Sequence, residues 1–187
     1  MPQPPQLPKI DWSALFNAGQ TWDEWLKACQ GPMQEDMNGH FAAAEVPGET
    51  ARALQKLPRP VHVVAISEDW CGDVRRNTPV LAKVCAASPQ VKLRIIDKEH
   101  HPEVMIRYLT NGAEAIPIFI FLNDKFTEIG NWGPRPQRCK EFMARGKACD
   151  NLDAARAKIK SFYAEDRHRS TVQEIVNLIQ TAAATEV

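Results

Sequence analysis

The sequence predicts an α/β fold in which helices cover both faces of a central mixed sheet of about four strands. The apolar run over 61–66 has the length and the β-branched content of a buried strand, and a second strand is predicted over 91–96. The segment between them, over 73–87, carries apolar residues at helical spacing. A strand, a helix and a second strand in this order form a βαβ unit with parallel strands and a right-handed crossover. We therefore expect a three-layer α/β/α arrangement built around this unit.

The chain after this unit predicts a hairpin followed by more helices. Apolar residues over 116–122 and 126–130 flank Asn123-Asp124-Lys125, which is typical of an antiparallel hairpin. A connecting helix is expected over 102–109, ended by Asn111-Gly112. Three further helices are predicted over 137–147, 152–163 and 171–181, the last two capped by Asp150 and Ser170.

These elements suggest four regions along the chain. Residues 1–10 are rich in Pro and Gln and are expected to form a flexible arm. Residues 11–60 carry helix-spaced apolar residues and are expected to form a helical extension packed on the core. The core is assigned to 61–146 and a set of C-terminal helices to 147–187.

The composition is that of a globular chain with no net charge to attract polyanions. Lys and Arg total 23 and Asp and Glu total 23, so neither nucleic acid nor a membrane surface is expected as a partner. No apolar stretch reaches the roughly 18 residues of a membrane span, and residues 1–8 lack the features of a secretory signal. The odd number of cysteines, 5, is unlike a secreted disulfide framework. We therefore expect a cytoplasmic protein.

The segment Trp70-Cys71-Gly72-Asp73-Val74 places one cysteine where the first strand turns into a helix. Unpaired backbone amides and the positive end of the helix dipole favour a negatively charged sulfur at such a position. Because the thiolate is the nucleophilic form, Cys71 is the candidate catalytic residue. Glu68 and Asp69, like Asp73, would oppose a negative sulfur if their carboxylates pointed at it, and the sequence leaves that direction open.

A second part of the pattern is Ala115-Ile116-Pro117, which opens the predicted hairpin. Together with the βαβ unit and the segment 68–73, it resembles the thioredoxin-like superfamily over roughly 61–144. The resemblance implies a thioredoxin fold with added N-terminal and C-terminal helices, and a cis bond at Pro117 facing the sulfur. The residues that it assigns to substrate binding are Trp70, Gly72, Asp73, Val74, Ile116 and Pro117.

The loop after the hairpin, Asn131-Trp132-Gly133-Pro134-Arg135-Pro136, gives a narrower resemblance. It is similar to a bacterial subgroup of uncharacterised thioredoxin family proteins. Because the family places this loop near the active-site end, Trp132 and Arg135 are candidates for a binding groove. A packed tryptophan and a surface arginine are the alternative interpretation.

Val74 stands where a dithiol redox site has its second cysteine. Cys85 lies 14 residues from Cys71 on the same helix, a separation of about 20 Å, whereas the Cα atoms of a disulfide lie within about 7 Å. The implied chemistry is therefore monothiol exchange with a protein or low-molecular-weight thiol partner, completed by an external thiol. The alternative is a non-catalytic thioredoxin-fold binding module. The histidines and cysteines show no metal-ligand spacing, so no metal or other cofactor is expected.

Overall fold

A computed structural model of the chain describes Leu7 and residues 9–186 and contains a four-stranded mixed sheet. Its strands are β1 (Val61–Ile66), β2 (Val91–Ile96), β3 (Ile118–Leu122) and β4 (Glu128–Trp132). The strand order is β2-β1-β3-β4, in which β1 and β2 are parallel and β3 is antiparallel to both of its neighbours. The predicted α/β fold is confirmed. Most of the arm expected over 1–10 lies outside the described residues.

The described α-helices surround this sheet, and several of them precede the first strand or follow the last one along the chain. They are α1 (Trp12–Ala18), α2 (Trp22–Ala28), α3 (Gly31–Ala43), α4 (Gly48–Gln55), α5 (Gly72–Ala86), α6 (Pro102–Met105), α7 (Gln137–Ala148), α8 (Leu152–Asp166) and α9 (Arg169–Ala184). Within the described part of the chain, none of these helices combines the length and the hydropathy that crossing a bilayer requires.

Both strands of the hairpin begin later than the apolar pattern indicated. β3 starts after Pro117, which has no amide hydrogen to give to a ladder. The turn before β4 is longer than expected because the Asn123 side chain accepts hydrogen bonds from the amides of Lys125 and Thr127, at 3.0 and 2.9 Å. The helix expected over 102–109 is also shorter: α6 passes into a 3-10 turn at Ile106–Tyr108.

The register of the strands places helices on both faces of the sheet. Phe119 is paired with Trp132 and its ring stacks on the indole at 5.0 Å, and the indole donates to Glu174 of α9. This face is therefore covered by α9, which also contacts α5. Side chains alternate between faces, so His62 points the other way, and there its ring meets Phe16 of α1 at 4.9 Å. The result is an α/β/α sandwich.

The helix that closes the sheet is α9 and not the segment after β4. α7, which corresponds to the helix predicted over 137–147, packs mainly on α8, and the two form a helical hairpin. The caps also differ from the expectation. The N-cap of α8 is Asn151, whose side chain accepts from the amide of Ala154, and the N-cap of α9 is His168.

The N-terminal helices pack directly on the βαβ unit. Gln20 forms an antiparallel bridge with Ile95, with N–O distances of 2.9 and 2.8 Å, so part of the exposed edge of β2 is covered. α3 lies along α5, and an ion pair joins Asp36 to Arg75 at 3.2 Å. Further along both helices, Lys83 Nζ of α5 lies 4.7 Å from the centre of the Phe41 ring of α3. The two helices therefore run in the same direction, and their N-termini are at the same end of the molecule.

Candidate functional site

Cys71 is the N-cap residue of α5, directly after the turn that leaves β1. Its side chain is half-buried, and no side-chain cap satisfies the first amides of the helix. The thiol lies 3.5 Å from the carbonyl oxygen of Ile116 and donates to it. Trp70, beside it, is 57% exposed, so its ring offers an apolar surface next to the sulfur instead of covering it. Gly72 begins the helix, and a Cβ on it would lie 3.9 Å from the Arg75 guanidinium.

The Ile116–Pro117 peptide bond is cis, as the family resemblance implied, and both side chains are buried. The loop after β4 passes very close to this bond. Gly133 has a φ of +136°, and a Cβ on it would collide with the carbonyl oxygen of Pro117. Only glycine fits a backbone approach this close in that conformation. Thus Gly133, which the sequence analysis did not single out, helps to hold Pro117 opposite Cys71.

Each acidic residue near the thiol is engaged by another group. Asp73 forms a two-fold ion pair with Arg135, with Nε 2.9 Å from Oδ1. Burial by itself would lower the pKa of Arg135, but the Asp73 carboxylate outweighs burial and raises the pKa above its ordinary value. Glu68 accepts from the amide of Lys98 at 2.7 Å, and Asp69 from the amide of Gln30 at 3.2 Å.

A buried amide links the start of α5 to the C-terminal helices. The Nδ2 group of Asn77 lies 3.0 Å from the carbonyl of Asp73, 3.2 Å from the Tyr163 hydroxyl and 3.4 Å from the carbonyl of Pro134. Thr171 of α9 donates to its Oδ1 at 3.3 Å. Sequence reasoning missed Asn77, although a polar residue on the apolar face of a predicted helix was a usable signal.

Besides Ile116 and Pro117, two more residues of the expected site are buried. Val74 is fully buried in the first turn of α5, so its side chain supports the site from below and does not reach the surface. Trp132 is 3% exposed, stacks on Phe119 and is bonded to Glu174, so it does not line a groove. Arg135, in contrast, is only partly buried and lines a surface groove.

Three of the other four cysteines are poorly placed to act as thiolates. Burial raises the pKa of Cys85 to about 12 and that of Cys139 to about 11. Cys29 precedes Gln30, whose amide donates to Asp69, and therefore lies close to the loop that carries Cys71. Burial and the carboxylates of Asp69 and Asp97 raise the pKa of Cys29 to about 12. Cys149 is exposed at the end of α7. Within residues 7 and 9–186, no group of three or more His, Cys, Asp or Glu residues is arranged to hold a metal ion.

Comparison with known proteins identifies the family. Two solved structures resemble the chain, each with a TM-score of 0.72. One is a protein of unknown function from Pseudomonas aeruginosa, 19% identical, with 92% of this chain and 98% of that chain covered. The other is an HIV epitope scaffold, 20% identical, with 91% and 98% covered. No curated protein matches the chain. The family model described as Thioredoxin matches residues 19–156. The chain therefore belongs to this thioredoxin family.

Proposed function

We propose that this protein carries out monothiol thiol-disulfide exchange through Cys71, with a protein or low-molecular-weight thiol partner. The observation that carries the proposal is the position of the half-buried Cys71 thiol at the start of α5, 3.5 Å from the carbonyl of the residue before cis-Pro117. An uncapped helix start favours negative charge on the sulfur. The engagement of Asp73 by Arg135 removes a nearby charge that would oppose it.

The proposed reaction begins with the Cys71 thiolate attacking one sulfur of a partner disulfide. The partner's S–S bond breaks, a new S–S bond joins Cys71 to the partner, and the other partner sulfur leaves as a thiolate that takes a proton from water. An external thiol then attacks the Cys71 sulfur and releases the partner's second thiol. A second external thiol displaces Cys71 from the resulting small mixed disulfide. The partner gains two electrons, and two external thiols are oxidised to one disulfide.

An external thiol completes the proposed cycle because the residues around Cys71 and the buried or half-buried cysteines supply no second thiolate. Val74 occupies the position three residues after Cys71 and is buried. The raised pKa values of Cys29, Cys85 and Cys139 leave little thiolate at neutral pH. A cytoplasmic setting, where low-molecular-weight thiols are abundant, suits this requirement.

A second candidate function is partner binding without turnover. It is favoured by the exposed ring of Trp70, which places an apolar contact surface beside Cys71. Large exposed aromatic side chains are frequent anchors in protein interfaces. In this alternative the same surface engages a partner and the sulfur does not react.

A reduction assay separates the two functions. We expect the wild-type protein, with excess external thiol, to accelerate reduction of a neutral small disulfide or of insulin, and Cys71→Ser to give only the uncatalysed rate. Cys149→Ser, which removes an exposed thiol distant in the chain, serves as the matched control and should retain the wild-type rate. Equal background rates for wild type and Cys71→Ser would exclude exchange and leave the binding function.

A further inference from the structure

A groove of about 440 Å³ opens beside the cis-proline segment. We call it the α7 groove: it is lined by residues of the 110–115 loop, by Pro134 and Arg135, and by residues of α7 from Gln137 to Lys147. The loop wall is shaped by a tight turn, in which Thr110 and Ala113 exchange backbone hydrogen bonds of 2.8 and 3.1 Å. Ala115 of this wall directly precedes Ile116, so the groove is continuous with the segment that faces the thiol.

Two of the charged residues in the α7 groove are already paired. Glu141 accepts from Arg138 at 2.9 Å, and Arg135 is held by Asp73. Neither side chain therefore offers an uncompensated charge to a ligand. The electrostatic character of the groove depends on its two remaining charged residues.

Those residues are Lys140 and Lys147, and neither forms an ion pair with another described residue. Lys147 is in the last turn of α7, where the helix dipole favours a cation. Lys140 is near the opposite end, and the first turn of α7 contains no acidic residue. The first amide of α7, that of Gln137, already donates to the Glu174 carboxylate at 3.0 Å, so the positive charge that the groove offers to an anionic ligand is that of the two lysines.

We propose that the α7 groove binds an acidic, extended segment of the protein partner whose disulfide Cys71 attacks. This inference rests on the proposed function and names the partner's chemistry. Lys140 and Lys147 are seven residues apart on α7, a separation of about 10 Å along the helix. In an extended chain of the polyproline II type, which has three residues per turn, side chains at i and i+3 lie on the same face about 9 Å apart. The segment therefore carries two carboxylates at positions i and i+3, and it continues from the backbone edge at Ile116, where a peptide can pair by β-augmentation.

The test uses peptides that contain one cysteine as a mixed disulfide with neutral pyridine-2-thiol. Each set contains two peptides that differ only at positions i and i+3, where one peptide carries Glu at both positions and the other carries Lys at both. In one set these positions precede the cysteine, and in the other set they follow it. Attack by Cys71 joins the peptide to the protein and releases pyridine-2-thione, whose absorbance gives the rate. In at least one set we expect the Glu peptide to react about tenfold faster than the Lys peptide. The ratio of the two rates should be smaller at high salt, because salt screens the charges.

Charge-reversal variants identify the groove as the source of the preference. Lys140→Glu with Lys147→Glu should abolish or invert the ratio of the two rates. Lys158→Glu with Lys160→Glu on α8 makes the same change in net charge at exposed positions outside the groove, and should keep the wild-type ratio. An unchanged ratio in the Lys140/Lys147 variant would overturn the proposal.

Failure of this proposal is distinguishable from failure of the proposed function. Neutral 2,2′-dithiodipyridine should react at similar rates with the wild type and with both double variants. If the wild-type protein reacts with this reagent but shows no preference between the peptides, the groove proposal is wrong and the proposed function still stands. If Cys71 reacts with none of these disulfides, fluorescence anisotropy of the labelled Glu peptide with the Cys71→Ser protein still tests whether the groove binds the peptide. Binding that Lys140→Glu with Lys147→Glu weakens at least tenfold supports the groove, and equal binding overturns it.

Discussion

Gly133 shows how one residue outside the thiol motif supports the candidate site. It has a φ of +136° and its Cα faces the carbonyl of Pro117 without space for a side chain. We expect Gly133→Ala to lower the free energy of unfolding by about 2–4 kcal/mol, because a disfavoured backbone conformation and a collision with backbone add together. Displacement of Pro117 should also slow the reaction of Cys71. Denaturant unfolding and the exchange assay measure the two effects.

Gly39→Ala is the matched control for this substitution. Gly39 lies in the exposed interior of α3 with nothing within 4 Å of an added Cβ. Alanine at this position should raise stability by about 0.5–1 kcal/mol and leave the exchange rate unchanged. A Gly133→Ala protein with wild-type stability and rate would contradict the role given to Gly133.

The Asp73–Arg135 ion pair makes a separate prediction at the residue scale. Arg135→Gln leaves the Asp73 carboxylate uncompensated two residues from Cys71, which disfavours the thiolate. We expect reaction of Cys71 with iodoacetamide at pH 7 to slow by about tenfold. The double variant Asp73→Asn with Arg135→Gln removes the opposing charge and should recover to within about twofold of wild type. Failure of the double variant to recover would show that Arg135 acts by packing and not by charge.

At the scale of one element, α5 determines how many sulfurs the site contains. Val74 lies three residues after the N-cap, at the spacing of a dithiol motif, and is buried. We expect Val74→Cys to form a disulfide with Cys71 and to reduce insulin at least tenfold faster than the wild-type protein. Rates of reduction and mass spectrometry under oxidising conditions measure both outcomes.

Val80→Cys is the control within the same helix. Val80 is equally buried, but nine residues along α5 put it about 13 Å from Cys71, beyond the reach of a disulfide. This variant should behave as wild type. If Val74→Cys forms the internal disulfide but reduces insulin no faster than the wild-type protein, the surface around Cys71 is not competent for exchange.

The strands and the thiol turn were predictable because their signals are local. β1 and β2 have the predicted bounds, because β1 is a continuous apolar run and β2 alternates buried apolar residues with Lys92 and Arg94. The closing helix was not predictable in this way. α7 and α9 carry similar helical patterns, and local spacing does not say which helix meets the sheet. The pairing of Asp73 with Arg135 spans 62 residues, so no local pattern shows it.

At the scale of the whole molecule, two histidines join the N-terminal extension to the C-terminal helices. His40 Nδ1 of α3 lies 3.1 Å from His168 Nε2 at the turn between α8 and α9. Burial lowers the pKa of both histidines, that of His168 to about 4. Arg76 also lowers both pKa values, and the His40 ring lowers that of His168. Asp36 and Asp166 favour protonation and only partly offset these effects. Arg75, also near His40, opposes protonation.

The burial of His168 makes the free energy of unfolding depend on pH. His168 is neutral in the folded chain and binds a proton near pH 6.5 when unfolded. The stabilisation is therefore complete above about pH 6.5 and is lost as the pH falls towards 4, a loss of up to about 3 kcal/mol. Unfolding free energies measured between pH 4 and 7 should show this slope. His168→Asn, a residue that tolerates the left-handed backbone here, should flatten it, and exposed His100→Asn should not.

The proposed exchange depends on one sulfur, that of Cys71, which starts the reaction and cannot finish it alone. The most direct test reacts 2,2′-dithiodipyridine with a Cys149→Ser protein, which lacks the exposed fifth thiol, and follows the product by intact mass and peptide mapping. We expect one fast adduct on Cys71 that persists until an external thiol is added. No fast adduct on Cys71, or its loss through an internal disulfide between Cys71 and another cysteine, would contradict the monothiol site.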